Sequence, residues 1–198
     1  GTPLSSIMAW LELLKIEGAN PQQAADEIEK DVKRLDMISE RFSKIGSTPT
    51  LSNENIVKIL NDSISYLRPR TSKKISYNLD YDKEGKLSIP INGSLFSWVI
   101  ENLCKNAIDA MSGKGQITIN IIDDNKNVLI DISDTGKGMS SSEIKAIFNP
   151  GYTSKKRGWG LGLSLAKRII NDYHKGKVFV KSSIVGKGTT FRIILKKL

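Results

Sequence analysis

Leu4, Ile7, Leu11 and Leu14 recur at intervals of three and four, the repeat that marks one face of an α-helix. Thr2-Pro3 suits its start, because proline is tolerated in a first helical turn. Gly18-Ala19-Asn20-Pro21 breaks the pattern, and a second helix follows with Ile28, Leu35, Ile38, Phe42 and Ile45 along one side. Two amphipathic helices joined by a short turn make a helical hairpin. Its apolar seam is too long for one hairpin to cover, which predicts pairing with a second copy as a four-helix bundle; packing on to the rest of the chain is the alternative.

Gly46-Ser47-Thr48-Pro49 reads as a linker, dividing the chain into residues 1–46 and 47–198. Beyond it, Ile56, Ile59, Leu60, Ile64 and Leu67 predict a helix capped by Ser52 or Asn53. Residues 74–81 alternate like a strand, and 87–91 fit another. Residues 94–111 form a long apolar helix ending before Gly113. Residues 116–123 and 127–133 predict a hairpin of two strands around a polar turn. A short helix over 141–148, a polar basic loop over 151–159, a helix over 160–173 with Gly176 as its cap, and strands over 178–183 and 189–195 complete the chain. This order fits an α+β fold: the helical hairpin, then a two-layer sandwich of helices on one face of a sheet.

Composition narrows the class. At 198 residues, 39% hydrophobic and 26% charged, the chain is that of a soluble globular protein, with no apolar run near the ~20 residues that span a bilayer. Cys104 is the single cysteine, which excludes an internal disulfide and fits a reducing, cytoplasmic setting; any membrane contact would come from segments outside this chain. The absence of a starting Met is read as a fragment of something longer. The net charge of +9 suits a phosphate-bearing ligand or an acidic partner. Nucleic acid is not expected, since the basic residues are scattered apart from Lys155-Lys156-Arg157 and are not interleaved with aromatics.

Four stretches carry candidate chemistry. Val128 to Ser133 alternates as a strand and runs into Asp134-Thr135-Gly136-Lys137-Gly138-Met139, which sets a carboxylate at a sheet edge before a sharp turn that glycine permits. Asn102 and Asn106 are four apart on one face of the long helix, with Lys105 between them, a set that can offer amide oxygens to Mg²⁺ and a cation to phosphate. Gly158-Trp159-Gly160-Leu161-Gly162-Leu163 leads into a helix start, where free amides and the helix dipole favour an anion. Gly186-Lys187-Gly188-Thr189 is a glycine turn between strands. Singly, each also fits an ordinary turn, cap or solvated face. His174, the single histidine, ends a helix and reads as structural; Cys104 reads as core.

Taken together, Asn102-x-x-x-Asn106-Ala107, Asp134-Thr-Gly-Lys-Gly138, Phe148-x-Pro150-Gly151-Tyr152-Thr153, Gly158-x-Gly160-Leu161-Gly162-Leu163 and Gly186-x-Gly188-Thr189 resemble, in order and spacing, the N, first glycine, F, second glycine and third glycine boxes of sensor histidine kinases. Thr2-Pro3-Leu4 resembles the end of the phosphoacceptor motif His-Glu-x-x-Thr-Pro-Leu that opens the dimerisation and histidine-phosphotransfer hairpin. The histidine of that motif, five residues before the proline, falls before Gly1.

The resemblance implies an ATP-dependent protein-histidine kinase core with ATP and Mg²⁺ as cofactors, a homodimer through the hairpin, and a response regulator receiver domain as partner. It implies that Asp134 accepts from the adenine amino group, that Gly136 and Gly138 shape the adenine pocket, that Thr189 sits near the adenine, directly or through water, and that Asn106 ligates Mg²⁺ with Asn102 in support. It further implies that Gly160 and Gly162 line the phosphates, that Leu161, Leu163 and Tyr152 belong to the nucleotide site, and that Lys155 reaches the terminal phosphates. Glu101 is the candidate for polarising the incoming nucleophile, and Thr2 for orienting water in dephosphorylation of the regulator. One departure stands out: many members carry a basic residue three after the second Asn, where this chain has Asp109, so Lys105 or Lys155 must supply that charge. Without the phosphoacceptor histidine these 198 residues are not expected to label themselves. The alternatives are another ATPase of the same superfamily, or a non-catalytic ATP-binding dimerisation module.

Overall fold

The computed structural model describes residues 3–16, 18, 20–46, 49–81, 87–155 and 160–197. Thr2, and Lys156 to Trp159 of the basic loop, lie outside the described residues. The chain forms two compact units, residues 1–48 and 49–198.

The first unit is a hairpin of α1 (Pro3–Leu13) and α2 (Pro21–Gly46). Asn20 caps α2, its Oδ1 accepting the N–H groups of Gln22 and Gln23 at 3.1 and 3.2 Å, and Pro21 takes the first helical position where no N–H is needed. Among the described residues of the hairpin, Ala24 is the buried one, beside a small hollow lined by Trp10, Leu13, Leu14 and Gln23. The expected seam is only partly covered: Leu4, Leu11 and Leu14 remain 59%, 48% and 36% exposed, with Met8 beside them at 61%. The side chains of Ile38, Phe42 and Ile45 lie outside the described residues.

The second unit is α+β. Its elements are β1 (Ser52–Asn55), α3 (Ile56–Leu67), β2 (Ile75–Asp80), β3 (Ser88–Ile91), α4 (Gly93–Ala110), β4 (Gly115–Asp123), β5 (Asn127–Asp134), α5 (Ser141–Ala146), α6 (Gly162–Arg168), β6 (Lys177–Ile184) and β7 (Gly188–Lys196). The main sheet runs β2-β4-β5-β7-β6, with β2 parallel to β4 and the other pairs antiparallel; β1 and β3 form a separate antiparallel pair. Alternation along the strands turns Ile117, Ile119, Ile121, Val128, Ile130, Ile132, Phe191, Ile193 and Leu195 to one face. There they meet Leu95, Phe96, Val99, Leu103 and Cys104 of α4 and the buried side of α3 in one core. Cys104 lies fully inside it, and burial pushes its thiol up to about 12, so it stays a neutral packing group.

Two local structures differ from the sequence expectation. The cap of α3 is Asn55, whose Oδ1 accepts from Lys58 N–H at 3.1 Å, because Ser52 to Asn55 pair as β1 with β3. Helix α6 begins at Gly162 and widens into a π-turn over Ile169–Tyr173. The wider turn lets the backbone N–H of His174 reach the Ile169 carbonyl at 3.2 Å, with ring Nδ1 2.9 Å from the same oxygen. Its Nε2 accepts from Asn92 N–H at 3.0 Å, so Nδ1 carries the proton and donates. Burial lowers the ring's pKa, leaving a neutral residue that ties the start of α4 to the end of α6.

On the opposite face of the sheet, Asp131 takes both Arg192 Nε (2.6 Å) and Nη2 (2.7 Å) and Lys181 Nζ (2.7 Å). Burial pushes this carboxyl up, but the Arg192 and Lys181 bonds outweigh it and hold it below the usual carboxylate range. A depressed carboxylate adds stability above its unfolded pKa of ~3.9, lost as pH falls through the folded value. Asp131→Asn should therefore lower the unfolding free energy at pH 7 by about 2 kcal/mol and flatten its decline on acidification. Urea unfolding at pH 7 and pH 3 checks this; identical midpoints at pH 7 would deny the triad a stabilising role.

Candidate functional site

Asp134 ends β5 opposite Thr189, the second residue of β7, and is 8% exposed. Its Oδ1 accepts from Gly136 N–H at 2.8 Å. Burial raises the carboxyl's pKa, and the backbone N–H groups of Gly136 and Thr189 draw it partly back. Thr189 Oγ1 is 2.9 Å from Ser183 Oγ, which also accepts from Met139 N–H at 2.9 Å. The turn after Asp134 is thus held on three sides. Lys137 N–H donates to the carbonyl of Ala110 at the end of α4 (3.0 Å), and Gly186 N–H donates to the carbonyl of Lys137 (2.7 Å).

Around this turn two glycines are required by space as well as by conformation. Gly138, at φ +66°, would drive a Cβ into the backbone of Ile184, and Gly188, at φ +109°, would drive one into the Asp134 carbonyl. Gly136 lies so close to Ala110 that a Cβ would come within 2.8 Å of it. The result is a fixed carboxylate at a sheet edge, walled by backbone from three elements.

Helix α4 supplies the second part. Asn102 faces the start of α6, a Cβ on Gly162 lying 3.6 Å from its Oδ1, while its buried Nδ2 finds no partner among the described residues. One turn further on, Asn106 Oδ1 receives the ammonium of Lys155 at 2.8 Å, and the same ammonium sits 2.5 Å from Asp109 Oδ2. The donor present fits a hard cation: an amide oxygen that already accepts a positive group.

The remaining expected residues divide. Gly160 O accepts from Gly151 N–H at 3.1 Å, joining the two ends of the basic loop. Leu161 is 49% exposed and caps α6, with Leu163 packed at the margin of the core. Tyr152, 37% exposed, turns back through its N–H to Asn149 O at 3.1 Å. Phe148 packs edge-on to Phe191 with ring centres 6.3 Å apart. Glu101 is buried, with the Lys105 ammonium 3.4 Å from its carboxylate, so Lys105 is engaged by Glu101 and the cation on the Asn106 face comes from Lys155. Sequence reasoning named Lys155 and Asp109 separately but not their pairing, and missed Ser183 and Ala110, which carry no motif.

The family model described as Histidine kinase-, DNA gyrase B-, and HSP90-like ATPase matches residues 92–198. The chain is 28% identical over 98% of its length to sporulation kinase C of Bacillus subtilis (strain 168), and 31% identical over 98% to the sensor histidine kinase ZraS of Salmonella typhi. It spans 45% and 42% of those proteins, less than half of each. Among solved structures, histidine kinase ThkA in complex with response regulator protein TrrA shares the fold, with a TM-score of 0.64 at 20% identity over 99% of this chain and 58% of that one. On the match over more than half its length, the chain belongs to the histidine kinase-, DNA gyrase B- and HSP90-like ATPases, and its second unit carries an ATP-binding domain of the sensor histidine kinase kind.

Proposed function

We propose that residues 1–46 and 47–198 are the dimerisation hairpin and the catalytic domain of a cytoplasmic sensor histidine kinase core. It binds Mg-ATP and phosphorylates a histidine of the motif whose last residues are Thr2-Pro3-Leu4; an aspartate on a response regulator receives the phosphate. The observation that carries the nucleotide part is the buried Asp134 carboxylate, fixed by Gly136 N–H and set in backbone walls where only glycine fits. Such a group selects a base that presents an amino group, as adenine does. Asn106 holds Mg²⁺, with Asn102 in support: its Oδ1 already accepts a cation, and the orphaned Asn102 Nδ2 is left for a phosphate oxygen. When bound, Mg²⁺ supplies neutralisation of charge on the transferred phosphoryl group. Lys155 contributes its ammonium to the phosphates, Thr2 orients water for dephosphorylation, and the buried Glu101 polarises the nucleophile. The regulator as partner is supported by the solved complex of ThkA with TrrA.

The test is phosphotransfer from labelled ATP. A version of the protein extended upstream through the whole phosphoacceptor motif should take up acid-labile label and pass it to a receiver domain, whereas these 198 residues should take up none. Label on His174 of the short chain, or acid-stable label on the long one, would overturn the assignment.

A further inference from the structure

The contact between Lys155, Asn106 and Asp109 goes beyond what nucleotide binding demands. Asn106 and Asp109 are three apart and share a face of α4, so a single ammonium reaches both, at 2.8 and 2.5 Å. Lys155 arrives from the loop after α5, and two of its three protons are directed to α4 rather than outward to an anion. A metal on the Asn106 oxygen would lie at about 2.0–2.1 Å, close enough to repel an ammonium on the same atom. Two cations therefore cannot share it. Of the other charged groups on α4, Lys105 is turned to Glu101, which leaves Asp109 as the carboxylate that engages Lys155.

We propose that Asp109 is a positioning residue for nucleotide binding. Its carboxylate parks the Lys155 ammonium on the Asn106 amide oxygen, so that Lys155 and a nucleotide-borne Mg²⁺ are mutually exclusive occupants of that oxygen. Arrival of the metal releases Lys155 from α4 toward the phosphates. This rests on the Mg-ATP reading above. It also gives the acid at position 109, where many family members carry a base, a use: it holds the base that position 155 provides.

The pair is partly exposed, 41% at Lys155 and 53% at Asp109, so its effect is a few-fold one. Calorimetry of Mg-ATP on the unmodified chain, Asp109→Asn, Lys155→Met and the double variant measures it. Asp109→Asn should tighten binding about threefold when Lys155 is present and change nothing when Met replaces it. Loss of a negative charge near the phosphates would by itself tighten binding in both backgrounds, so equal tightening in both overturns the proposal. In the nucleotide-free protein, Asp109→Asn should also shift the side-chain amide resonance of Asn106, and an unmoved resonance overturns it too. Failure of the unmodified chain to bind Mg-ATP would overturn the nucleotide reading and this inference together. Binding without coupling between 109 and 155 would overturn this inference alone.

Discussion

Asp134→Ala should lower the affinity for Mg-ATP and Mg-ADP about ten- to a hundredfold, the loss of a charged hydrogen bond in a buried setting. The site explains why the loss is not made good by water or by a neighbour. Asp134 is 8% exposed, and its carboxyl is fixed by Gly136 N–H at 2.8 Å on Oδ1, which leaves Oδ2 as the acceptor for a base. Asp134→Asn should be no milder for ATP despite its equal size. Gly136 N–H keeps the amide oxygen on its own side, and the NH₂ then faces the adenine amino group, donor against donor. The same variant should lose less with GTP, whose base presents a carbonyl at that position. Because burial raises the Asp134 pKa, affinity should also begin to fall on acidification at a higher pH than an ordinary aspartate would give. Calorimetry with ATP, ADP and GTP decides; equal affinity of Asp134→Ala and the unmodified chain for ATP would remove the adenine assignment.

Long elements with an apolar face were readable, and the polar strand β1 was not. Helix α4 and strand β5 announce themselves because burial of one side forces a period on the residues, and both lie where the pattern placed them, within a residue or two. Strand β1 reads Ser-Asn-Glu-Asn; it exists through backbone pairing with β3, which leaves no trace in side-chain polarity. The π-turn before His174 brings the Ile169 carbonyl to both the backbone and the ring of His174, a contact no local pattern signals. At the site, glycine spacing pointed to Asp134, Gly136 and Gly138 because steric demands are written into residue type. The atoms that hold this turn, Ala110 O and Ser183 Oγ, come from segments remote in sequence and have no required identity beyond a carbonyl or a hydroxyl. The Lys155–Asp109 pair spans 46 positions, and nothing local predicts it.

With the hairpins paired as proposed, Leu4→Glu with Leu11→Glu should leave the chain monomeric. Leu4, Met8 and Leu11 stand at i, i+4 and i+7 on α1 and are 59%, 61% and 48% exposed in the single chain, a row of large apolar side chains facing no partner among the described residues. Burying such side chains is worth ~1.5–3 kcal/mol each, and a symmetric seam counts each one twice. A second copy of the same hairpin would supply a matching face, the four-helix solution. Introduced glutamates would have to enter that seam without partners, at a cost of several kcal/mol per charge, enough to shift the dissociation constant by three orders of magnitude or more. Within one chain the same substitutions should cost little, since both positions are exposed there, so nucleotide binding by the second unit should survive. Light scattering at tens of micromolar measures the mass, and calorimetry with Mg-ATP confirms the fold of the variant. A monomeric unmodified chain would rule the paired hairpin out, and a double-glutamate variant that stays dimeric would place the interface on another face.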